Sequence, residues 1–371
     1  MYLRTEMLEF AIVGIGGRPK AFLAAFHKTG RARLTAVCDR SQSAMEESVR
    51  GLPPIECYTD YEEMLEKARP DAVVIGTPMP LHVSQAKMAL ERNIHVFSEV
   101  TAAVSVEECR QLANACKRSK AQYMMGENCN YMRHCMVVRN MVRRGLFGDV
   151  FYAEGEYNHD CRALITKTPW RKQWLYDIGG ITYGSHSLGP ILSWFANDRV
   201  TSVCCIGSGR DMADLEGNPL QRENSYIMLC KTEKNRLIKI KNNLSSPRPY
   251  GLNFLLEGSK GAFQSQGQAF LQRNEIWLEG TSEKEKWDSL SQHETEFVPE
   301  IWRQYAEEEH GEGHSGADVI TMIDYINALC EGRKGPIDIH AALDMTLPGL
   351  ISQQSVLEGG RWLSVPDSRD W

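Results

Sequence analysis

The sequence predicts an α/β protein in two parts. An N-terminal doubly wound parallel sheet is followed by a C-terminal α/β domain built on a large, mostly antiparallel open sheet. Three observations carry this. Short, wholly apolar runs alternate with helix-period runs up to residue 127. From residue 149 onward the runs become rich in Val, Ile, Tyr and Thr and are separated by turn signals. A length of 371 residues also exceeds what one hydrophobic core usually organises.

Each element follows from its residues. Phe10–Val13 is an apolar run ending at glycine, and a helical stretch follows from Pro19 to His27. Leu34–Cys38 reads as the next buried strand. Tyr61, Met64, Leu65 and Ala68 recur at helical spacing, and Ala72–Ile75 is a third strand. A helix around Leu81–Leu90, a strand at Ile94–Phe97, a helix with Val106, Cys109, Leu112, Ala113 and Cys116 on one stripe, and a strand at Gln122–Met125 complete the first domain, residues 1–127. The second, residues 128–371, opens with a helix at Tyr131–Arg144. A hairpin joins Ser225–Lys231 to Leu237–Asn243, and helices at Asp318–Leu329 and His340–Leu357 close the domain.

Composition excludes several classes of function. Lys and Arg total 42 against 48 Asp and Glu, a net charge of −6 and a pI near 6.0, so no nucleic-acid partner is expected. No apolar run reaches the roughly 18 residues of a membrane span. The 11 cysteines form no CxxC pair, and Cys38, Cys109, Cys116 and Cys230 sit in apolar runs, which points to a reduced, cytoplasmic protein rather than a disulfide or zinc framework.

Gly14-Ile-Gly16-Gly17-Arg18-Pro19 lies between a strand and a helix. Glycines there let the backbone approach a pyrophosphate at a helix N-terminus, although the third glycine of the usual GxGxxG pattern is proline. Asp39 ends the next strand, where a carboxylate bonds ribose hydroxyls. Its charge opposes a 2′-phosphate and favours NAD; neighbouring Arg40 works the other way.

With Gly76-Thr77-Pro78, His82, Ala86, His95–Glu99, Gly148-Asp149-Val150 and the run from Gly179-Gly180 to His186, these residues resemble the glucose–fructose oxidoreductase/inositol dehydrogenase/MocA (GFO/IDH/MocA) family over nearly the whole chain. The resemblance implies a Rossmann domain, NAD, a small carbohydrate substrate and a homo-oligomer. It also implies that Thr77, Pro78, His82 and Glu99 lie along the nicotinamide half of the cofactor, with Asn128 close by. For His82, packing at a helix N-terminus competes with that role.

Ordinary dehydrogenases of the family follow the glutamate with Lys-Pro; here Val100-Thr101 stands in that place. The aspartates they carry around the conserved histidine are Thr182 and Gly189 here, leaving His186 alone. Ser98-Glu-Val, Gly126-Glu-Asn-Cys, Tyr157-Asn-His159-Asp-Cys-Arg162, Tyr183-Gly-Ser-His186 and Gly313-His314 resemble instead the family's NAD-dependent glycosidases, such as the α-N-acetylgalactosaminidase branch. A redox-neutral hydrolysis would oxidise C3, remove the C2 proton and eliminate the C1 substituent.

His186 is expected to handle the hydroxyl proton and Tyr157 the second proton. His159 shares a strand face with Tyr157, so it and Arg162 are expected at the substrate. Trp170, Lys172, Tyr183 and His314 are further substrate candidates. Lys167 or Lys172 replacing the lost lysine would restore ordinary dehydrogenase chemistry. His310, Glu312 and His314 admit a metal-binding reading, but a substrate-covering loop is preferred and no metal is expected. A simple sugar or polyol dehydrogenase and a non-catalytic NAD sensor are the competing functions.

Overall fold

The computed structural model describes residues 7–168, 170–268, 271–305 and 314–371, with Pro19 and His314 described by backbone alone. The chain divides into two compact units. The first comprises residues 1–128, 304–343 and 368–371; the second comprises residues 129–303 and 344–367. The first boundary falls one residue past the expected cut at 127. The stretch 304–343, assigned from sequence to the second domain, belongs to the first.

The first unit holds six parallel strands: β1 (Leu8–Val13), β2 (Ala32–Cys38), β3 (Glu56–Tyr58), β4 (Ala72–Ile75), β5 (His95–Ser98) and β6 (Tyr123–Met125). Their order is β3-β2-β1-β4-β5-β6. That order reverses between β1 and β4, the crevice where such sheets take ligands. β1 and β4 are almost wholly buried because helices cover both faces. The helix Ala317–Glu331 returns because it is apolar nearly all round and supplies Tyr325 to an aromatic core. Tyr325 lies 6.3 Å from Phe10 and 5.4 Å from Phe97, and Phe97 lies 5.1 Å from Phe22.

Most predicted elements appear within a residue or two. The helix expected at Pro19–His27 starts as a 3-10 turn, Arg18–Phe22, with proline in its first turn, and continues as Leu23–Thr29. The structure adds the helix Gln42–Ser48 and the strand β3. That helix buries only Met45 and the three residues of β3 bury none, so neither has an apolar period to read.

The second unit carries nine strands: β7 (Val150–Asn158), β8 (Val200–Gly207), β9 (Tyr226–Thr232), β10 (Leu237–Asn243), β11 (Gly251–Gly258), β12 (Gly261–Gln266), β13 (Arg273–Leu278), β14 (Asp288–Ser289) and β15 (Leu363–Ser364). They are ordered β14-β13-β12-β11-β7-β10-β9-β8-β15. Every pairing is antiparallel except β7 with β10, which sets Tyr157 beside Asn242. The helix Ser185–Trp194 rests on β7 at Gly155, where a Cβ would stand 3.0 Å from the Ser187 side chain and carbonyl. Among the described residues, no helix is long and apolar enough to cross a membrane.

Candidate active site

The nucleotide half is built in the first unit. Gly14 adopts φ +84°, and a Cβ there would meet the Thr77 amide nitrogen at 2.7 Å and the Gly76 carbonyl carbon at 2.8 Å. Only glycine lets the turn after β1 lie this close to the turn after β4. Gly17 has nothing within 4 Å of the position a Cβ would take, so its face stands open for a phosphate. Asp39 accepts from the Gly16 amide at 3.2 Å through Oδ2 and from the Ser41 amide at 3.0 Å through Oδ1. Those bonds fix the carboxylate at the glycine turn and leave it lone pairs for ribose hydroxyls. Arg40 is exposed.

These residues fit a dinucleotide. Replacing Asp39 with Ala is expected to weaken NAD about 10–100-fold, the range set by hydrogen bonds to a charged acceptor, and to narrow the preference over NADP. Paired titrations with the two cofactors check this; unchanged NAD affinity overturns the assignment.

Arg18 and Asn128 converge on a residue that the sequence alone did not mark. Asp318 is fully buried and accepts from Arg18 Nη1 at 2.8 Å and from Asn128 Nδ2 at 2.7 Å. Arg18 Nε also lies 3.5 Å from Glu99 Oε1. No local pattern marks Asp318, because its partners are up to 300 positions away.

His82 is corrected. It is buried, with Nδ1 2.9 Å from the Thr101 carbonyl and Nε2 2.8 Å from the Thr77 carbonyl, so the packing role accounts for both nitrogens. Burial lowers its pKa, although the two carbonyls oppose the shift. Thr77 turns its hydroxyl to Gln85 Oε1 at 2.5 Å, and Pro78 leads into the 3-10 turn Met79–Leu81. The Val100–Thr101 peptide, standing where Lys-Pro was expected, is cis.

The second unit assembles a cluster of phenols and imidazoles in which Tyr157 and His186 are buried and His159, Tyr183 and Tyr250 are half-buried. Tyr157, on the central strand β7, has its hydroxyl 3.0 Å from His159 Nδ1. The Tyr183 hydroxyl lies 3.2 Å from His186 Nε2, and the rings of Tyr157 and His186 are 5.3 Å apart. Tyr250 completes the group, 4.7 Å from the His159 ring and 5.7 Å from that of Tyr157. Its turn-rich setting before β11, Pro-Arg-Pro-Tyr, offered no periodic signal. Cys129 Sγ stands within 4.8 Å of a His186 nitrogen. Burial pushes the Tyr157 phenol well above its ordinary pKa, with Tyr250 and Tyr183 adding to the shift.

Other substrate candidates fare unevenly. The Arg162 guanidinium forks onto Asp160, at 2.9 Å from Nε and 2.7 Å from Nη2, and this bond holds the Asp160 carboxyl below its usual range. Lys172 and Lys167 are exposed on the helices Trp170–Leu175 and Arg162–Lys167, so neither ammonium joins the cluster. Trp170 is half-buried, with the Arg171 guanidinium 4.5 Å from its ring centre. The His314 side chain, His310 and Glu312 lie outside the described residues.

The strand order of the first sheet and its glycine turn define a dinucleotide-binding Rossmann domain. The chain belongs to the GFO/IDH/MocA oxidoreductase family: residues 8–127 match its NAD-binding Rossmann-fold domain and residues 136–264 its C-terminal domain. Residues 223–370 match the C-terminal domain of glycosyl hydrolase 109. A glycosyl hydrolase family 109 protein from Shewanella pealeana is 29% identical, covering 98% of this chain and 86% of that protein. An α-N-acetylgalactosaminidase from Shewanella oneidensis is also 29% identical, covering 98% of this chain and 85% of its own. Among solved structures, an NAD-binding oxidoreductase from Klebsiella pneumoniae superposes with a TM-score of 0.82 at 17% identity, over 97% of this chain and 99% of that one. The WlbA dehydrogenase from Bordetella pertussis, solved with NADH and UDP-GlcNAcA, gives 0.79 at 19% identity, over 98% and 99%. At those identities the likeness establishes the fold.

Proposed function

We propose that the chain is a carbohydrate-active enzyme that hydrolyses a glycoside without net redox change, through oxidation at C3, proton removal at C2 and elimination at C1. The observation that carries this reading is the pair of part-buried phenol–imidazole contacts, Tyr157 with His159 and Tyr183 with His186, in one cluster. The route moves two different protons, and each pair serves one. The glycosidase relatives support the same reading, and an N-acetylgalactosaminide is the first substrate to try.

Gly14, Gly16, Gly17 and Asp39 hold the pyrophosphate and adenosine side of NAD, and Arg18, Glu99 and Asn128 hold the nicotinamide side. Bound NAD supplies a reversible hydride acceptor for the C3 carbon. His186 takes the proton of the hydroxyl being oxidised, and Tyr183 fixes the orientation of its ring. Tyr157 keeps its own proton at neutral pH, so it serves the C2 proton as a relay with His159 rather than as a free phenolate. The electrons of the C2–H bond become a C1–C2 double bond as the C1 substituent leaves with a proton, and water then adds across it, its oxygen to C1 and a proton back to C2. Return to C3 of the hydride first taken from it would restore the alcohol, so the sum is a net hydrolysis without redox change. Tyr250 and Trp170 provide the surface for the sugar.

The test follows release of an aryl leaving group and absorbance at the NADH band together. Cleavage with no net NADH, and deuterium at C2 of the sugar released in D2O, is the expected result. Stoichiometric NADH without cleavage makes the chain a sugar or polyol dehydrogenase, and tight NAD binding with neither makes it a sensor. The reading also takes the enzyme as a cytoplasmic homo-oligomer. Its 11 cysteines are all free thiols, and the exposed cross-strand pair Ile206 and Ile227 gives a second copy an apolar surface.

A further inference from the structure

Arg222 lies in the link between β8 and β9 and is only 2% exposed. A guanidinium this deeply buried is normally matched by a carboxylate, yet no acid among the described residues forms an ion pair with it. Its surroundings are of another kind. Nη1 donates to the Leu175 carbonyl, the last residue of the helix Trp170–Leu175. Nη2 donates to Asn242 Oδ1 at 3.2 Å. Its carbon centre lies 5.1 Å from the ring of Tyr226 and 5.8 Å from that of Tyr176.

These partners connect separate parts of the second unit. The carbonyls at a helix C-terminus lack intrahelical donors and carry partial negative charge, so a cation there satisfies both deficits. Asn242 on β10 is the register partner of Tyr157 on β7. Tyr176, beneath the guanidinium, donates to the Leu244 carbonyl just beyond β10, and the same carbonyl receives the Cys161 amide at 2.9 Å. Downstream, Thr182 Oγ1 donates to the Trp174 carbonyl at 3.4 Å and the Ile181 amide to Ser352 Oγ at 2.8 Å, leading directly into Tyr183 and His186.

We propose that Arg222 is a positioning residue: it pins the Trp170–Tyr176 segment to the strand beside Tyr157 and thereby sets the path of the chain to His186. A planar fork with two anchored ends and two aromatic faces does this where a lysine cannot, because an ammonium is a point donor on a flexible stem. The functional half of the proposal rests on the carbohydrate reading above; the structural half stands without any substrate.

The experiment compares wild type with Arg222→Lys and Arg222→Met by hydrogen exchange of the NAD-bound enzyme, NAD titration and steady-state kinetics. Peptides within 170–186 are expected to exchange about tenfold faster in both variants, one order of magnitude in local opening, while peptides of the first unit and NAD affinity stay unchanged. The KM for the glycoside is expected to rise more than kcat falls. If both variants fail to fold, Asn242→Ala removes one anchor and leaves the guanidinium in place, and the same peptides are expected to loosen. Unchanged exchange in 170–186, or acceleration spread evenly over the second unit, overturns the proposal. If no glycoside or sugar is turned over by wild type, the carbohydrate reading falls while the exchange result still decides the pin.

Discussion

Replacing His186 with Asn is expected to lower kcat by about 10²–10⁴-fold, the usual range for a positioned acid–base group, while leaving NAD affinity intact. The residue is 6% exposed, in the first turn of the helix Ser185–Trp194, and that helix is seated on β7 by the absent side chain of Gly155. Asn keeps a polar side chain of similar reach but exchanges no proton near neutrality. A loss of kcat without loss of NAD binding, measured by turnover and by fluorescence titration, assigns the effect to chemistry. Turnover at the wild-type rate removes the imidazole from the mechanism. A Tyr183→Phe change should cost less, because it removes only the group orienting that imidazole.

Gly14→Ala carries the largest expected effect on the first unit. The substitution puts a methyl 2.7–2.9 Å from three backbone atoms of Gly76 and Thr77, at φ +84°, where no flexible side chain can yield. Residues held in such backbone regions cost of order 1–3 kcal/mol, before the clash is counted. Thermal unfolding should show that loss, and NAD titration should show binding abolished. Gly17→Ala is the contrast: nothing lies within 4 Å of the new methyl, but φ −141° with ψ −126° falls outside the ordinary β and α regions, so a loss from backbone strain without a clash is expected. If Gly17→Ala weakens NAD, the cofactor lies over that turn. Wild-type NAD affinity in Gly14→Ala would sink the assigned crevice.

Much of this was legible from local pattern. The apolar runs of β1, β2, β4 and β5 declare themselves because strands covered on both faces tolerate few polar residues. The glycine turn and Asp39 are separated by one helix and one strand, a spacing fixed by the unit itself. Tyr157 and His159 share a face because side chains alternate along a strand, and their hydrogen bond follows. His186 was found through resemblance, and its place beside Tyr157 was not in the sequence pattern.

What tertiary structure alone decided are pairings between distant residues and the use each side chain is put to. Asp318 joins Arg18 and Asn128 only because the helix Ala317–Glu331 returns to the first sheet, drawn by its nearly all-round apolar surface. Arg162 and His82 carried the right residue types for a site, yet Asp160 and two backbone carbonyls engage them. Tyr250 and Arg222 sit in stretches without period and acquire meaning from neighbours far along the chain. Periodicity encodes which face of an element is buried. It carries no record of which distant group will satisfy a buried donor, and that matching is settled when the sheets and helices pack.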